Sequence, residues 1–167
     1  MFRVGLGQDS HRIKLKFKNA KLKIAKDLIL GGVKVSSEYY SVANSDGDVV
    51  LHALCNALGQ AVGESSLGVY ATHMAKEGIK DSKKYVFYIY KKVKEKGYKV
   101  NNVGVMVEAQ KPRLEKHSQA MKENISHLLD INIVDVGVTF TTGENLTSFG
   151  RGEGIQAFAI VSLLKNE

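Results

Sequence analysis

Two short stretches of the sequence carry side chains that could share a metal ion. Residues 5–11 contain Asp9 and His11 after a short apolar run, and residues 45–52 end in His52. Residues two apart in an extended chain point to the same side, so Asp9 and His11 could converge on one point beyond the first strand. Two imidazoles and one carboxylate suit Zn²⁺, and three protein ligands leave a fourth position open, as in a catalytic zinc site.

Spacing alone leaves simpler interpretations open. An Asp-x-His pair is commonly a surface turn, and a histidine in an apolar helix is commonly a core residue with its hydrogen bonds satisfied. Asp48 precedes His52 by one helical turn, so it either orients the imidazole or only helps to begin the helix. Cys55 is a further candidate ligand, but we interpret it as a small packing residue of the same helix.

Size and composition are those of an ordinary globular protein. The chain has 167 residues, 44% of them hydrophobic and 25% charged, and we expect one domain over residues 1–167. A single cysteine excludes an intrachain disulfide and favours a reducing, cytoplasmic location. We expect neither a signal peptide nor a membrane-spanning segment, because no apolar run has the required length.

The formal charge of +7 favours an anionic partner, either nucleic acid or a polyanionic small molecule. The lysines are spread along the chain without a nucleic-acid-binding motif, so we expect no nucleic acid partner. The densest group, residues 14–26, alternates lysine with apolar residues around Asn19-Ala20 and predicts a hairpin. Solvated lysines explain this arm better than a dedicated anion site does.

Apolar alternation predicts several strands in mixed order with helices, which indicates a mixed α/β or α+β fold. We expect a single sheet of about four strands with helices packed on it. The predicted strands cover residues 2–6, 28–30, 33–35, 102–108, 134–140 and 155–163.

Three helices are predicted between the strands. The first follows a cap at Asn44, Ser45 or Asp46, the second follows a cap at Ser82 and ends near residue 96, and the third covers residues 114 or 115 to 129. Residues 63–80 lack clear periodicity and predict a loop that could cover a substrate. Residues 143–153 predict a glycine-rich loop with a short helical turn.

Four motifs follow one another from Val4 to Ile155. They are Gly-x-Gly-x-Asp-x-His at 5–11, Leu-Gly-Gly-Val at 30–33, Ser-Asp-Gly-Asp-x-x-Leu-His-Ala at 45–53, and a late pair, Thr-Thr-Gly-Glu at 141–144 with Gly-Arg-Gly-Glu-Gly-Ile at 150–155. In this order they resemble the 2-C-methyl-D-erythritol 2,4-cyclodiphosphate synthase family of the non-mevalonate isoprenoid pathway. The resemblance implies a homotrimer with active sites between neighbouring subunits.

The resemblance also implies a reaction and its metals. The family cyclises 4-diphosphocytidyl-2-C-methyl-D-erythritol 2-phosphate and releases CMP. Asp9, His11 and His52 match the ligands of Zn²⁺ or another divalent transition metal. Glu144 matches a glutamate that holds Mg²⁺ or Mn²⁺ at the diphosphate. Thr142 matches a threonine near the diphosphate, and Ser45 matches a residue at the methylerythritol phosphate. The resemblance thus makes Glu144, Thr142 and Ser45 the candidate catalytic residues.

A wider set of residues matches the family's substrate contacts. Ala109, Pro112 and Arg113 match the loop that holds cytosine. Arg151 is included, although the resemblance also places it with Glu153 near the trimer axis. The full candidate set for substrate binding is Asn44, Ser45, Glu64, Ala109, Pro112, Arg113, Thr141, Thr142 and Arg151.

Several positions depart from the family's usual pattern. Asn44 stands for a usual histidine, Asn56 for an aspartate and Asn145 for a lysine, and residues 63–66 and 70–74 align only loosely. These changes leave the metal ligands intact and alter the rim that binds substrate.

Two side chains of the altered rim could provide replacement contacts. Glu64 could take over a ribose contact. His73 is either a new phosphate contact or an exposed loop histidine.

The altered rim supports an alternative function. A divergent trimer could keep the zinc and bind another nucleotide or polyphosphate with little or no turnover. A third hypothesis, a basic nucleic-acid-binding module that uses residues 14–26, is disfavoured because it leaves Asp9, His11 and His52 unexplained.

Overall fold

A computed structural model describes residues 1–16 and 26–166 of the protein, and the predicted hairpin around Asn19-Ala20 lies outside them. The described part contains both helices and strands in mixed order, which confirms the mixed fold. The helices are α1 (Val49–Val62), α2 (Leu67–Lys76), α3 (Ser82–Glu95) and α4 (Ser118–Leu129). The strands are β1 (Phe2–Leu15), β2 (Leu28–Leu30), β3 (Val33–Ser36), β4 (Tyr39–Ser41), β5 (Tyr98–Glu108), β6 (Val136–Thr141) and β7 (Gly154–Lys165).

The main sheet has five strands in the order β4-β1-β7-β5-β6, one more than the predicted four. Strands β5 and β6 run parallel, and the other neighbours are antiparallel. The additional strand is β4, whose three residues, Tyr-Tyr-Ser, are all only half-buried and show no apolar alternation. Strands β2 and β3 form a separate two-stranded sheet, so the prediction of a single sheet is wrong.

Strand β1 is much longer than the five residues predicted, and this changes the location of Asp9 and His11. Antiparallel pairing with β7 continues through Arg12, with Asp9 opposite Ala157 and His11 opposite Ile155. The two side chains therefore lie within the strand, not beyond its end as the sequence analysis expected. They still share one face, because side chains two apart on a strand do so.

Helix α1 lies unusually close to β1 because of the glycines that precede Asp9 on the same face. A Cβ on Gly5 would lie 2.0 Å from the carbonyl oxygen of Ala57. A Cβ on Gly7 would lie 2.0 Å from the carbonyl oxygen of Ala53. Backbone atoms cannot move far enough to relieve such steric clashes. The Gly-x-Gly pattern is therefore required for the contact between strand and helix.

Asp48 caps helix α1, and the predicted caps Asn44, Ser45 and Asp46 are wrong. Its carboxylate accepts hydrogen bonds from the backbone amides of the first helical turn and from those of the turn between β2 and β3. The four donors are the amides of Val50, Leu51, Gly31 and Gly32. Asp48 thus begins the helix and ties it to the small sheet.

Helix α2 occupies the centre of the segment predicted as a loop, residues 63–80. Of its residues only Leu67 is buried, so the sequence lacks the apolar periodicity of a core helix. The next helix, α3, is capped by Asp81, whose carboxylate accepts from the amide of Lys83 at 2.9 Å. The predicted cap, Ser82, is the first helical residue instead.

The start of α4 also differs from its prediction. Residues 115–117 form a 3₁₀ turn, and the α-helix begins at Ser118 and not at residue 114 or 115. The third predicted helix is therefore present in a shorter form.

The main sheet has one face covered by helices and one open face. Residues that point toward α1 and α4 are buried, among them Val103, Val105, Ala157, Ala159 and Val161. The opposite side, here called the outer face, exposes large apolar side chains in the described chain. They include Phe2, Val4, Leu6, Met106, Ile160 and Leu164.

Candidate functional site

Asp9, His11 and His52 come together where β1 meets the first turn of α1. The Asp9 Oδ2 atom lies 2.9 Å from the His52 Nδ1 atom and 3.3 Å from the His11 Nε2 atom. The two ring nitrogens lie 3.4 Å apart. The structure thus places three ligand atoms in a compact triangle, and the group could hold a metal ion.

The size of the triangle fits a tetrahedral ion. Zinc bound at about 2.0–2.1 Å requires ligand atoms about 3.3 Å apart. Burial lowers the pKa of His11 despite the neighbouring Asp9 carboxylate, which favours the neutral imidazole that a metal requires. His52 is buried, whereas Asp9 and His11 keep partial exposure, so the group opens toward solvent on one side.

The second ring nitrogen of His52 contacts α3. The His52 Nε2 atom lies 2.8 Å from the Ser82 hydroxyl oxygen, which also hydrogen-bonds the Asp46 carboxylate. Sequence analysis assigned Ser82 and Asp46 only to helix capping, because 30 residues separate Ser82 from His52 and no local pattern connects them. Asp48, the predicted alternative partner of His52, is occupied by the backbone of α1 and the small sheet.

A cavity of about 480 Å³ lies against the metal-ligand group. His11 and His52 form part of its wall, together with the predicted substrate residues Asn44 and Ser45. Residues from α2 and the turn after it complete the wall, namely Ala71, Thr72, Ala75, Lys76 and Lys80. The lysines place positive charge beside the group, as an anionic ligand requires.

A second cavity, of about 690 Å³, collects most of the residues matched to the nucleotide and to the second metal. Pro112, Arg113, Thr142 and Glu144 line it. Glu38, Tyr39, Gln110, Lys111 and Asn145 also line it and were not predicted as site residues. This cavity shares no lining residue with the cavity at the metal-ligand group.

Glu144 lies on a tight turn after β6. Its backbone has φ 48°, in the left-handed region, and the Thr142 hydroxyl donates to its carboxylate at 3.0 Å. The buried Glu108 at the end of β5 anchors the same loop by accepting a hydrogen bond from Thr147. Glu144 is therefore held in a defined position while its carboxylate stays at the cavity.

The other predicted substrate residues of this loop region have backbone roles. The amide of the buried Ala109 donates to the Thr141 carbonyl at 3.0 Å, which joins the ends of β5 and β6. The Thr141 hydroxyl accepts from the amide of Gly143 at 3.3 Å. Both residues shape the loop that carries Glu144.

Three residues singled out from the sequence lie away from both cavities. Glu64 forms an ion pair with Lys96 at 2.7 Å. Arg151 pairs with Glu153 at 3.1 Å. His73 is exposed on α2, where it lies 3.3 Å from the Glu77 carboxylate, so it is a helix-surface residue and not a loop residue.

Comparisons with known proteins agree with this geometry. A sequence model of the YgbB family matches residues 2–164. A Methylococcus capsulatus protein named 2-C-methyl-D-erythritol 2,4-cyclodiphosphate synthase is 40% identical, over 99% of each chain. The chain belongs to this synthase family.

Other members of the synthase family show the same extent of similarity. The Chlamydia muridarum synthase is 37% identical over 99% of this chain and 89% of its own length. A solved Plasmodium falciparum structure, described as an IspF–CDP complex, superposes with a TM-score of 0.85 at 28% identity, over 99% of this chain and 97% of that one.

Family membership defines the class of the protein. As a 2-C-methyl-D-erythritol 2,4-cyclodiphosphate synthase family member, it is a lyase of the non-mevalonate isoprenoid pathway. Within residues 1–16 and 26–166, no helix combines the length and apolarity needed to cross a membrane.

Proposed function

We propose that the protein catalyses zinc-dependent cyclisation of 4-diphosphocytidyl-2-C-methyl-D-erythritol 2-phosphate to 2-C-methyl-D-erythritol 2,4-cyclodiphosphate, with release of CMP. The observation that carries this proposal is the triangle of Asp9, His11 and His52 ligand atoms, 2.9–3.4 Å apart, beside a cavity with lysines in its wall. The names of the relatives and the CDP bound in the Plasmodium falciparum structure support the substrate class.

The reaction needs no nucleophile from the protein. An oxygen of the substrate's 2-phosphate attacks the β-phosphorus and forms the new phosphorus–oxygen bond. The bond from the β-phosphorus to the bridging oxygen breaks, and its electron pair leaves with CMP. The protein must therefore align two phosphate groups and balance the charge that develops between them.

In this proposal the two metal ions bind at different cavities. Asp9, His11 and His52 would hold Zn²⁺, and Glu144 would hold Mg²⁺ or Mn²⁺ with phosphate oxygens and waters. When bound, these ions supply Lewis acidity and charge neutralisation at the diphosphate.

The remaining cavity residues orient the substrate in this proposal. Ser45 and Asn44 lie beside His11 and His52, where their polar groups can hydrogen-bond the methylerythritol phosphate. Pro112 and Arg113 form the wall for the cytidine at the other cavity, and Thr142 fixes the Glu144 carboxylate. Ala109 and Thr141 support this wall through the backbone.

We further propose a homotrimer in which the metal-ligand group of one subunit faces the nucleotide cavity of its neighbour. Each cavity holds only part of the required residues, and the two share no wall residue within one chain. The exposed apolar side chains of the outer face provide a surface for the association.

Mixed trimers test whether the sites lie between subunits. His52→Ala and Glu144→Gln subunits should each be inactive alone. Co-assembled at equal amounts, they should regain about a quarter of the wild-type activity, since one site in four joins an intact His52 to an intact Glu144 across the interface. Failure of a verified mixed trimer to regain activity would show that each site is built from one chain.

The first experiment measures CMP release from the proposed substrate by purified protein with Zn²⁺ and Mg²⁺, and again after chelation. We expect release that the chelator abolishes and that restored metal recovers. Zinc-loaded protein that releases no CMP would instead support the alternative of a divergent trimer that binds another nucleotide or polyphosphate. The departures from the family's usual pattern at Asn44, Asn56 and Asn145 are the reason to test that alternative.

We also propose a cytoplasmic location. Cys55 is buried in α1, and burial raises the pKa of its thiol to about 12. A chain whose single cysteine is an inert packing group is suited to a reducing compartment.

A further inference from the structure

The two ring nitrogens of His52 face different surroundings. The Nδ1 atom points to Asp9 and His11, at 2.9 and 3.4 Å. The Nε2 atom lies 2.8 Å from the Ser82 hydroxyl oxygen, in a buried position at the start of α3. A neutral imidazole carries one proton, so a metal at Nδ1 requires that proton at Nε2, whereas without a metal the Asp9 carboxylate favours it at Nδ1.

Asp46 determines the direction of the hydrogen bond between Ser82 and His52. Its carboxylate contacts Ser82 twice, through a short bond from the hydroxyl to Oδ1 and a 2.8 Å bond from the amide to Oδ2. A carboxylate only accepts hydrogen bonds, so the single hydroxyl proton of Ser82 points to Asp46. The Ser82 oxygen must then accept from His52 Nε2–H.

We propose that Ser82, held by Asp46, is a positioning residue that fixes His52 as the Nε2–H tautomer and presents the Nδ1 lone pair to the metal. This inference rests on the proposed metal site. It assigns the role of orienting the metal-binding imidazole to a serine–aspartate pair that connects α1 with α3. Partners of this kind typically change metal affinity 10–100-fold when removed.

Ser45 is the alternative partner of the same ring nitrogen. Its hydroxyl oxygen lies 3.4 Å from His52 Nε2, considerably farther than that of Ser82, and it already accepts from the amide of Gly47 at 3.1 Å. Ser45 has no carboxylate that orients its proton in the described hydrogen bonds. It therefore provides a matched control, a second hydroxyl near the same atom without the Asp46 contact.

The first test uses metal-free Asp9→Asn protein labelled with ¹⁵N in its histidines, studied by NMR above the ordinary imidazole pKa of about 6.5, because an amide at position 9 can donate or accept and does not compete for the proton as the carboxylate does. We expect His52 to show a protonated Nε2 and an unprotonated Nδ1. Protonation at Nδ1 in this variant would overturn the inference. A merely structural role for Ser82 would not select a tautomer.

The second test compares Ser82→Ala, Ser82→Thr and Ser45→Ala. Ser82→Ala should give a mixture of tautomers in the metal-free Asp9→Asn background, and alone it should weaken zinc binding about 10–100-fold. Ser82→Thr keeps the hydroxyl and should restore both properties toward those of wild type. Ser45→Ala should leave the tautomer and the zinc affinity near those of wild type, whatever it does to turnover.

Zinc affinity is measured by competition with a chromophoric chelator, and thermal unfolding of the metal-free variants shows whether each one folds. Wild-type protein that binds no zinc would refute the proposed metal site. Wild-type protein that binds zinc, with a folded Ser82→Ala variant of equal affinity and unchanged tautomer, would refute only the role of Ser82. The two failures are therefore distinguishable.

Discussion

Glu144 combines a strained backbone conformation with a carboxylate at the wall of a cavity. Its positive φ of 48° disfavours a residue with a side chain, yet a carboxylate occupies the position, and Thr142 orients it. Strain of this kind persists where the surrounding structure fixes it, and here the buried Glu108 anchors the loop through Thr147. The arrangement supports a functional carboxylate at the edge of the proposed nucleotide cavity.

Glu144→Gln should remove the Mg²⁺-dependent part of turnover and leave zinc binding intact. The amide keeps the size of the side chain and its bond to Thr142 but loses the negative charge that attracts the cation. We expect CMP release to fall by about two orders of magnitude or more, as when a transition-state contact is lost. A Mg²⁺ titration of activity together with zinc analysis checks this, and an unchanged Mg²⁺ dependence would contradict the role.

Asp48 is a fully buried carboxyl, and its titration should appear in the stability of the protein. Burial raises its pKa from the ordinary 3.8 to about 6 and outweighs the four amide donors. The folded state then binds the proton more tightly than the unfolded state. The tighter proton binding of the folded state contributes fully to the free energy of unfolding below about pH 4. This contribution falls by about 3 kcal/mol as the pH rises to about 6.

The measurement compares urea unfolding of metal-free wild type and Asp48→Asn between about pH 4 and pH 7. The stability advantage of wild type over the variant should shrink as pH rises, because only wild type titrates at this position. An advantage that grows with pH would show that the amide donors dominate over burial. Metal-free protein is needed because ligand protonation also couples metal binding to pH.

The contact between β1 and α1 connects the fold to the candidate site. Gly5 and Gly7 remove two side chains from the face that carries Asp9 and His11, and α1 occupies the space. The first turn of the helix then brings His52 within 2.9 Å of Asp9. The geometry of the metal-ligand group is therefore a consequence of how closely one helix lies on one strand.

Gly7→Ala should destabilise the protein by about 3 kcal/mol or more, because its Cβ would meet the backbone of Ala53 at 2.0 Å. Zinc affinity should fall with it, since His52 must move away from β1. Gly68→Ala is the matched control, because Gly68 lies exposed in α2 with no atom within 4 Å of an added Cβ. The control should be neutral or stabilising by up to about 1 kcal/mol, measured by denaturant unfolding.

The sequence predicted elements whose apolar pattern is strong and missed those whose pattern is weak. The buried alternation of β5 and β7 and the apolar face of α1 are directly visible in their residues. Helix α2 was missed because only one of its residues is buried, and β4 was missed because its three residues are half-buried and show no apolar alternation. The length of β1 depends on pairing with β7, which is distant in sequence.

The candidate site, like the fold, was predictable from the sequence only in part. The ligand types of Asp9, His11 and His52 follow from two short motifs, and the structure brings them together. The Ser82 contact to His52 joins two helices, and its sequence neighbourhood shows only a helix start. The ribose contact of Glu64 stays a prediction, and the ion pair that Glu64 forms with Lys96 is not indicated by the sequence around residue 64.

At the scale of the whole molecule, the outer face of the sheet exposes large apolar side chains to water. Ile160 is 50% exposed and Leu6 is 54% exposed, and the two pair directly across β7 and β1. Met106 and Phe158 lie nearby and line the same shallow apolar depression. A monomer seldom leaves such a surface in water, so the proposed trimer accounts for it.

Ile160→Glu should convert the proposed trimer to monomers, because a carboxylate would be buried without a partner at the interface. Activity should be lost with the assembly. Val134→Glu is the control, since Val134 is 87% exposed but lies outside the sheet, and it should remain trimeric. Sedimentation analysis distinguishes the two, and a trimeric Ile160→Glu variant would place the interface elsewhere.

The metal-ligand group joins two parts of the chain that are 41 to 43 residues apart in sequence. An ion bound there stabilises only the folded chain, by about 2.7 kcal/mol when its free concentration is a hundred times its dissociation constant. A cell that runs short of the metal would then hold a protein that opens and is degraded more often. Metal supply would set how long each molecule survives, as well as how fast it works.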